Sequence, residues 1–198
     1  MSASTQYATH LILAAFLWVL PAGAQSSDED DFKLARNLYR DAGDYATSST
    51  LFAEFIRNYP SSPQLAEARL MLARSYRNSS RCALAASAYE TFFLEHPDHL
   101  ATADARRERA ACLSQTGQYA AAALAYEDVQ RRFSASDFAG QALIDAAANH
   151  TYGQNSQRAV DLYQRVLNDY NTSTAVHQAR YQLAKLLFTA GHVDEAQR

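Results

Sequence analysis

The sequence predicts an all-α fold, a solenoid in which helix-turn-helix units recur with a period of 37 residues. Two observations predict it. One is a row of aromatic residues spaced 37 apart, and the other is a pair of alanine rows with the same spacing. Such a recurrence at a fixed interval is the signature of repeat architectures. The aromatic row is Phe52, Tyr89, Tyr126 and Tyr163. The alanine rows are Ala73, Ala110, Ala147 and Ala184, and Ala85, Ala122, Ala159 and Ala196.

Each unit reads as two helices joined by a short turn. Leu65, Leu72 and Tyr76 follow the helical period in the first helix of one unit, and Tyr89 and Phe92 follow it in the second. The alanine rows allow the two helices to approach closely, since paired helices pack tightly where a side chain is small. Between the two helices lie turns rich in helix-breaking or polar residues: Gly43-Asp44, Ser79-Ser80, Gly117-Gln118, Gln154-Asn155 and Gly191-His192. Prolines end the second helix, at Pro60 and Pro97.

Length and charge limit the function classes. The chain has 198 residues, is 48% hydrophobic and carries a net charge of −3. It can therefore bury a core, but it lacks the basic excess that gripping phosphates requires. Nucleic-acid binding is not expected.

The N-terminal segment predicts a secretory signal over residues 1–24. It contains no Asp, Glu, Lys or Arg, and the apolar run from Leu11 to Leu20 is followed by Ala22-Gly23-Ala24. That run is too short for a membrane span, which needs about 20 residues. We expect a mature chain from Gln25, periplasmic after export across the inner membrane, with a solenoid over residues 25–198. The predicted units are 29–60, 66–97, 103–134, 140–171 and a truncated unit, 177–198.

The turn sequences resemble the tetratricopeptide repeat (TPR) family. Gly117-Gln118-Tyr119-Ala120-Ala121-Ala122 and Gly191-His192-Val193-Asp194-Glu195-Ala196 match the inter-helix signature of that family, followed by the aromatic row and by proline. The resemblance implies a right-handed superhelix. The 37-residue period is longer than the common TPR unit of about 34, and it resembles the periplasmic repeats of the bacterial outer-membrane barrel-assembly lipoprotein and of the Tol-Pal coordinator. The sequence departs from the lipoprotein in having no lipid-attachment cysteine.

In this family the concave face, lined by the first helix of each unit, receives extended peptides or partner helices. The N-terminal half of that face is the more cationic, which favours an acidic or carboxylate-bearing ligand, while ordinary surface arginines are the alternative. The chaperone-binding carboxylate clamp is not expected, since Asp104 and Glu108 stand where basic residues are needed. The register gives these candidates for the concave face: Lys33, Asn37, Arg40, Leu70, Arg74, Arg77, Arg107, Gln115, Ile144, Tyr181, Lys185 and Phe188.

No catalytic, metal or cofactor site is expected. His96 falls in the apolar row of Tyr59 and His150 in that of Tyr76, and no Cys or carboxylate joins these histidines at ligand spacing. Cys82 and Cys112 are predicted to lie at similar heights on neighbouring antiparallel helices. A structural disulfide and two buried thiols both remain open for this pair.

The sequence therefore predicts a non-enzymatic scaffold that binds other proteins in envelope assembly or coordination. It has no integral membrane span, and peripheral association with envelope complexes stays open. One alternative is the N-terminal docking module of a longer protein with a catalytic or outer-membrane C-terminal part. A catalytic helical array is a second alternative, which would need an acid, a base or a metal set in the groove.

Overall fold

A computed structural model describes residues 27–170, 174–189 and 191. Within these residues the chain forms nine α-helices and no strand. The nine helices are α1 (Asp28–Asn37), α2 (Tyr45–Asn58), α3 (Leu65–Asn78), α4 (Cys82–Glu95), α5 (Thr102–Gln115), α6 (Tyr119–Arg132), α7 (Ala139–Tyr152), α8 (Ser156–Asp169) and α9 (Ala175–Thr189). A single π-helical turn, Leu38–Ala42, continues α1. The predicted all-α repeat fold is confirmed.

The helix boundaries repeat with the predicted period. The second helices α2, α4, α6 and α8 begin at Tyr45, Cys82, Tyr119 and Ser156, at intervals of 37 residues, and each is 14 residues long. Every helix packs against the next along the chain, and α7 also contacts α9. Paired helices therefore stack in sequence order, as in a solenoid. The predicted signal segment, residues 1–24, lies outside the described residues.

The turn between paired helices uses one left-handed residue in each unit. This position is held by Gly43, Ser80, Gly117, Gln154 and Gly191, with φ between 61° and 83°. A residue in this conformation just past a helix lets its backbone N–H bond to a carbonyl of the last turn. Asp44 and Asn155 then cap the following helices by accepting hydrogen bonds from the backbone N–H groups of Thr47 and Arg158. The local sequence thus sets the hairpin at each turn.

The core is a seam of apolar residues shared by neighbouring hairpins. The aromatic row lies inside it: Phe52 and Tyr89 are fully buried, and Tyr126 and Tyr163 are nearly so. The alanines at 73, 85, 110, 122, 147 and 159 are buried without remaining exposure, as the close approach of paired helices requires. Ala184 is only partly buried, and Ala196 lies outside the described residues. Because each cluster draws on at least three successive helices, no hairpin has a core of its own.

Candidate functional site

A cavity of about 180 Å³ opens between α7, α8 and α9. Its polar lining comes from several directions: Asp145 and Thr151 from α7, the Tyr163 ring from α8, and Gln178 and Gln182 from α9. Because α7 and α9 are the first helices of successive units, the cavity lies on the face formed by the first helices. The remaining lining residues are Ile144, Ala148, Tyr152, Lys185, Leu186 and Thr189.

Asp145 is the acidic group in this cavity, and it is only partly exposed. Its Oδ1 accepts a hydrogen bond of 3.0 Å from Nε2 of Gln141, one helical turn earlier. Burial raises the pKa of Asp145 above its ordinary value, while the bond from Gln141 and the charge of Arg107 act in the opposite direction. Among the described residues no cation lies within ion-pairing distance of this carboxylate.

Exposed aromatic rings accompany the cavity. Tyr152, at the end of α7, forms part of its wall and is 65% exposed. Tyr181 and Phe188 on α9 are exposed to the same degree. Large rings that stand in water rather than in the core are typical of protein-binding surfaces. Tyr181, Phe188 and Lys185 were all predicted from the sequence as concave-face residues, and whether they bind a partner stays a prediction.

Arg74 and Arg77 are bound within the chain. Nε of Arg74 lies 3.0 Å from Oε2 of Glu108, and Nη1 of Arg77 lies 3.5 Å from Oε1 of the same carboxylate. The Tyr89 hydroxyl donates a hydrogen bond of 2.8 Å to Oε2 of Glu108. The Glu108 side chain is only 15% exposed. Two arginines, one carboxylate and one phenol therefore form a closed network across α3, α4 and α5.

Arg107 is also engaged within the chain. Its Nη2 lies 3.1 Å from Oδ1 of Asp104, and its guanidinium carbon lies 5.1 Å from the centre of the Phe138 ring. The three arginines behind the cationic-groove hypothesis thus have partners already. Arg74 and Arg77 share the single carboxylate of Glu108, so that network keeps one positive charge, and the acidic-ligand expectation stays a prediction.

Two predicted groove residues are in the core. Leu70 is 3% exposed and packs in the cluster around Tyr89, and Ile144 is 1% exposed and belongs to the cluster around Tyr163. Leu70 therefore offers no surface to a partner, which corrects its assignment as a groove residue. Ile144 is also buried, but it touches the cavity from below.

The remaining candidates are exposed and lie away from the cavity. Lys33 and Asn37 are on α1, and Arg40 lies in the π-helical turn that follows it. Gln115, at the end of α5, is exposed as well, and its Oε1 accepts a hydrogen bond from the Cys82 thiol. The structure does not bring these four residues together with the α7–α9 cavity.

Sequence reasoning missed Asp145 as a site residue. A row signal could have revealed it: the positions 37 apart are Met71, Glu108, Asp145 and Gln182, a row that changes from apolar to polar along the chain. Its counterpart row on the second helices changes from Phe52 to tyrosine at the next three positions. Tyr89 bonds to Glu108, and the Asp145 charge raises the pKa of Tyr126 further beyond the effect of burial.

Two tetratricopeptide repeat models match the chain, one over residues 31–62 and the other over residues 70–137. These stretches cover the helix pairs α1/α2, α3/α4 and α5/α6. The chain contains tetratricopeptide repeats. TPR proteins in general are non-catalytic scaffolds that bind protein partners.

Solved structures share this TPR fold. A tetratricopeptide repeat protein from Parabacteroides merdae has a TM-score of 0.69 at 19% identity, over 86% of this chain and 63% of that one. MamA from Desulfovibrio magneticus RS-1 has a TM-score of 0.66 at 15% identity, over 86% and 92%. BtubC from P. vanneervenii has a TM-score of 0.64 at 17% identity, over 85% and 75%. No curated protein sequence matches the chain. At these identities the likeness establishes the fold.

The two cysteines meet between TPR units. Cys82 opens α4 and Cys112 lies in α5; both are buried free thiols, and their Sγ atoms are 2.8 Å apart. Burial raises the pKa of Cys112, and the adjacent Cys82 adds to that rise. The geometric proximity predicted from the sequence is present. Oxidation of the pair stays a prediction.

Within the described part of the TPR array, no cluster of three or more His, Cys, Asp or Glu residues has a geometry suited to a metal ion. Within the same ranges, none of the helices combines the length and the apolar character that crossing a bilayer demands.

Proposed function

We propose that this TPR chain is a non-enzymatic scaffold that binds partner peptides or helices in the groove between α7 and α9. The observation that carries the proposal is the cavity of about 180 Å³, with the exposed Tyr152 in its wall and the exposed rings of Tyr181 and Phe188 on α9, where the first helices of two units lie side by side. Exposed Tyr and Phe around a concave polar site supply much contact area at low conformational cost.

The cavity has the dimensions of an anchor pocket. A volume of about 180 Å³ is smaller than the usual pocket for a drug-sized ligand. It suits one side chain of a longer ligand, while the exposed rings of Tyr181 and Phe188 suit contacts along the rest of a peptide.

We also propose that the scaffold acts in the bacterial periplasm, in envelope assembly or coordination. The support is the uncharged, apolar segment at residues 1–24 and the 37-residue unit that resembles periplasmic envelope repeats. A fusion of residues 1–40 to alkaline phosphatase tests the compartment, because that enzyme is active only after export. Active fusions support the periplasmic proposal, with deletion of residues 11–20 as the control, and inactive fusions contradict it.

Site-specific photocrosslinking tests the scaffold proposal. A photoreactive phenylalanine analogue replaces Tyr152, which lines the cavity and is 65% exposed, or, as the control, Leu94, which is 76% exposed on α4 and lines none of the cavity. In cells of the source organism, we expect discrete crosslinked proteins at position 152 and none at position 94. Equal crosslinking at both positions, or none at either, would contradict binding in the groove.

A further inference from the structure

The charges on the inner face are unevenly balanced along the array. In the N-terminal half, Arg74 and Arg77 converge on Glu108, and Arg107 pairs with Asp104. In the C-terminal half, Asp145 has no such partner among the described residues. The same row position therefore holds a neutralised carboxylate at 108 and an uncompensated one at 145.

Within the described residues, the Asp145 side chain has one hydrogen-bond donor as a partner, Gln141. Gln141 donates one hydrogen bond to Oδ1, and the Asp145 side chain lines the cavity. Lys185 lies on the rim and is exposed, at a distance beyond ion pairing. Arg107 acts on Asp145 only through space, since its guanidinium contacts Asp104 and Phe138.

We propose that the Asp145 carboxylate is the recognition point for a basic side chain, arginine or lysine, of the peptide that the α7–α9 groove binds. This inference rests on the proposed function, and it names the ligand chemistry of that site. A guanidinium or ammonium group in the cavity would replace the missing counter-ion, and the Tyr163, Gln178 and Gln182 side chains around it offer polar contacts.

The pattern of the rows supports this choice over an acidic ligand. At Glu108, two arginines and Tyr89 satisfy the carboxylate from within the chain. At the positions 37 residues beyond those two arginines stand Ala111 and Ser114, which supply no cation to Asp145. Asp145 therefore lines a cavity but lacks the two arginines that pair with Glu108.

Selection from a phage-displayed library of random heptapeptides tests the inference, with the full chain immobilised as the target. Asp145→Asn is nearly isosteric and removes the charge. The matched control is Asp161→Asn on α8: Asp161 accepts a hydrogen bond of 3.1 Å from Gln157 at the same helical spacing, but it is exposed and lines none of the cavity. Circular dichroism verifies that both variants are folded.

We expect the natural chain and Asp161→Asn to enrich peptides with a fixed Arg or Lys. Replacing that residue in the best peptide should weaken binding by about 10- to 100-fold, as losing a charge-assisted hydrogen bond does. Asp145→Asn should lose the basic preference and bind the original peptide more weakly by a similar factor.

The outcomes separate the two proposals. Enriched peptides that lack a basic residue, or equal binding to Asp145→Asn and the natural chain, would overturn the role of Asp145 and leave groove binding intact. Failure to enrich any peptide would overturn both proposals.

Discussion

Two residues other than glycine occupy the left-handed turn between paired helices: Ser80 with φ of 61° and Gln154 with φ of 62°. Gly43, Gly117 and Gly191 hold the same position in the other units. A side chain with a Cβ is strained in this conformation, whereas glycine adopts it freely. Replacing Ser80 and Gln154 by glycine should therefore stabilise the array.

The size of the effect follows from two opposing terms. The left-handed conformation costs a non-glycine residue about 1 to 2 kcal/mol. Glycine also lowers the free energy of unfolding by about 0.4 to 1 kcal/mol, because it gives the unfolded chain more conformational freedom. The difference between these ranges runs from zero to about 1.6 kcal/mol, and their midpoints give a net gain of about 0.8 kcal/mol for each substitution. Ser80 and Gln154 lie two repeat periods apart in the sequence, so their effects should add. The double variant should therefore gain about 1 to 2 kcal/mol. For a chain of this size, that corresponds to a rise in Tm of roughly 2 to 8 °C.

Urea and thermal unfolding, followed by circular dichroism, measure the gain. Gln154→Ala is the matched control, since it removes the same polar side chain but keeps the Cβ. We expect no stabilisation from Gln154→Ala. If alanine and glycine at position 154 raised the stability equally, or if glycine lowered it, backbone strain at this turn would not be the cause.

Further predictions concern the buried carboxylates and the thiols. Glu108→Gln should lower the free energy of unfolding by about 1 to 3 kcal/mol in urea titrations, because two arginines lose their counter-ion. The control Asp104→Asn removes an exposed ion pair and should change the free energy of unfolding by less than about 1 kcal/mol. Equal effects of the two substitutions would refute the stabilising role of the Glu108 network. Asp145→Asn should raise Tm at neutral pH but not at a pH below the ordinary carboxyl pKa. Because the pKa of Asp145 is raised in the folded state, its ionised carboxylate destabilises the fold at neutral pH. This destabilisation vanishes in acid, where Asp145 is protonated in the folded and in the unfolded chain. A gain that persisted in acid would exclude this cause. Mild oxidation should join Cys82 and Cys112, with the loss of two hydrogen atoms to the oxidant seen by mass spectrometry and a gain of about 3 to 4 kcal/mol from closing the loop. Two alkylatable thiols after oxidation would contradict it.

The period was predictable because its signals are local. A left-handed turn residue, an apolar row and small residues at helix contacts each constrain the sequence wherever a unit recurs. Gly117 and the aromatic at Tyr126 mark the same points in the structure as they do in the sequence. The fold could therefore be predicted from this single sequence.

The exposure of individual groove residues was less predictable. Leu70 and Ile144 share one row with Lys33, Arg107 and Tyr181, yet the first two are buried and the others are at least partly exposed. A row fixes the angular position around the helix, but the depth depends on how closely the neighbouring unit packs there. The bulk of the residues on that neighbour sets this closeness, and helical spacing does not report it.

The charge pairing could have been predicted in part. Arg74 meets Glu108, 34 residues further on, which is one period less one short helical turn. Neighbouring first helices bring such positions together, so a search at that separation would have paired them. The unpaired state of Asp145 needed the structure, since it depends on where Arg107 turns its side chain.

Mapping a selected peptide by NMR tests the central claim most directly. In the isotope-labelled chain, adding the best library peptide should shift the amide signals of Asp145, Gln178, Gln182 and Lys185, while those of Leu94 and Leu124 on other helices stay in place. Shifts confined to α4 and α6, with the α7–α9 signals unchanged, would contradict the proposal that this groove is the binding site.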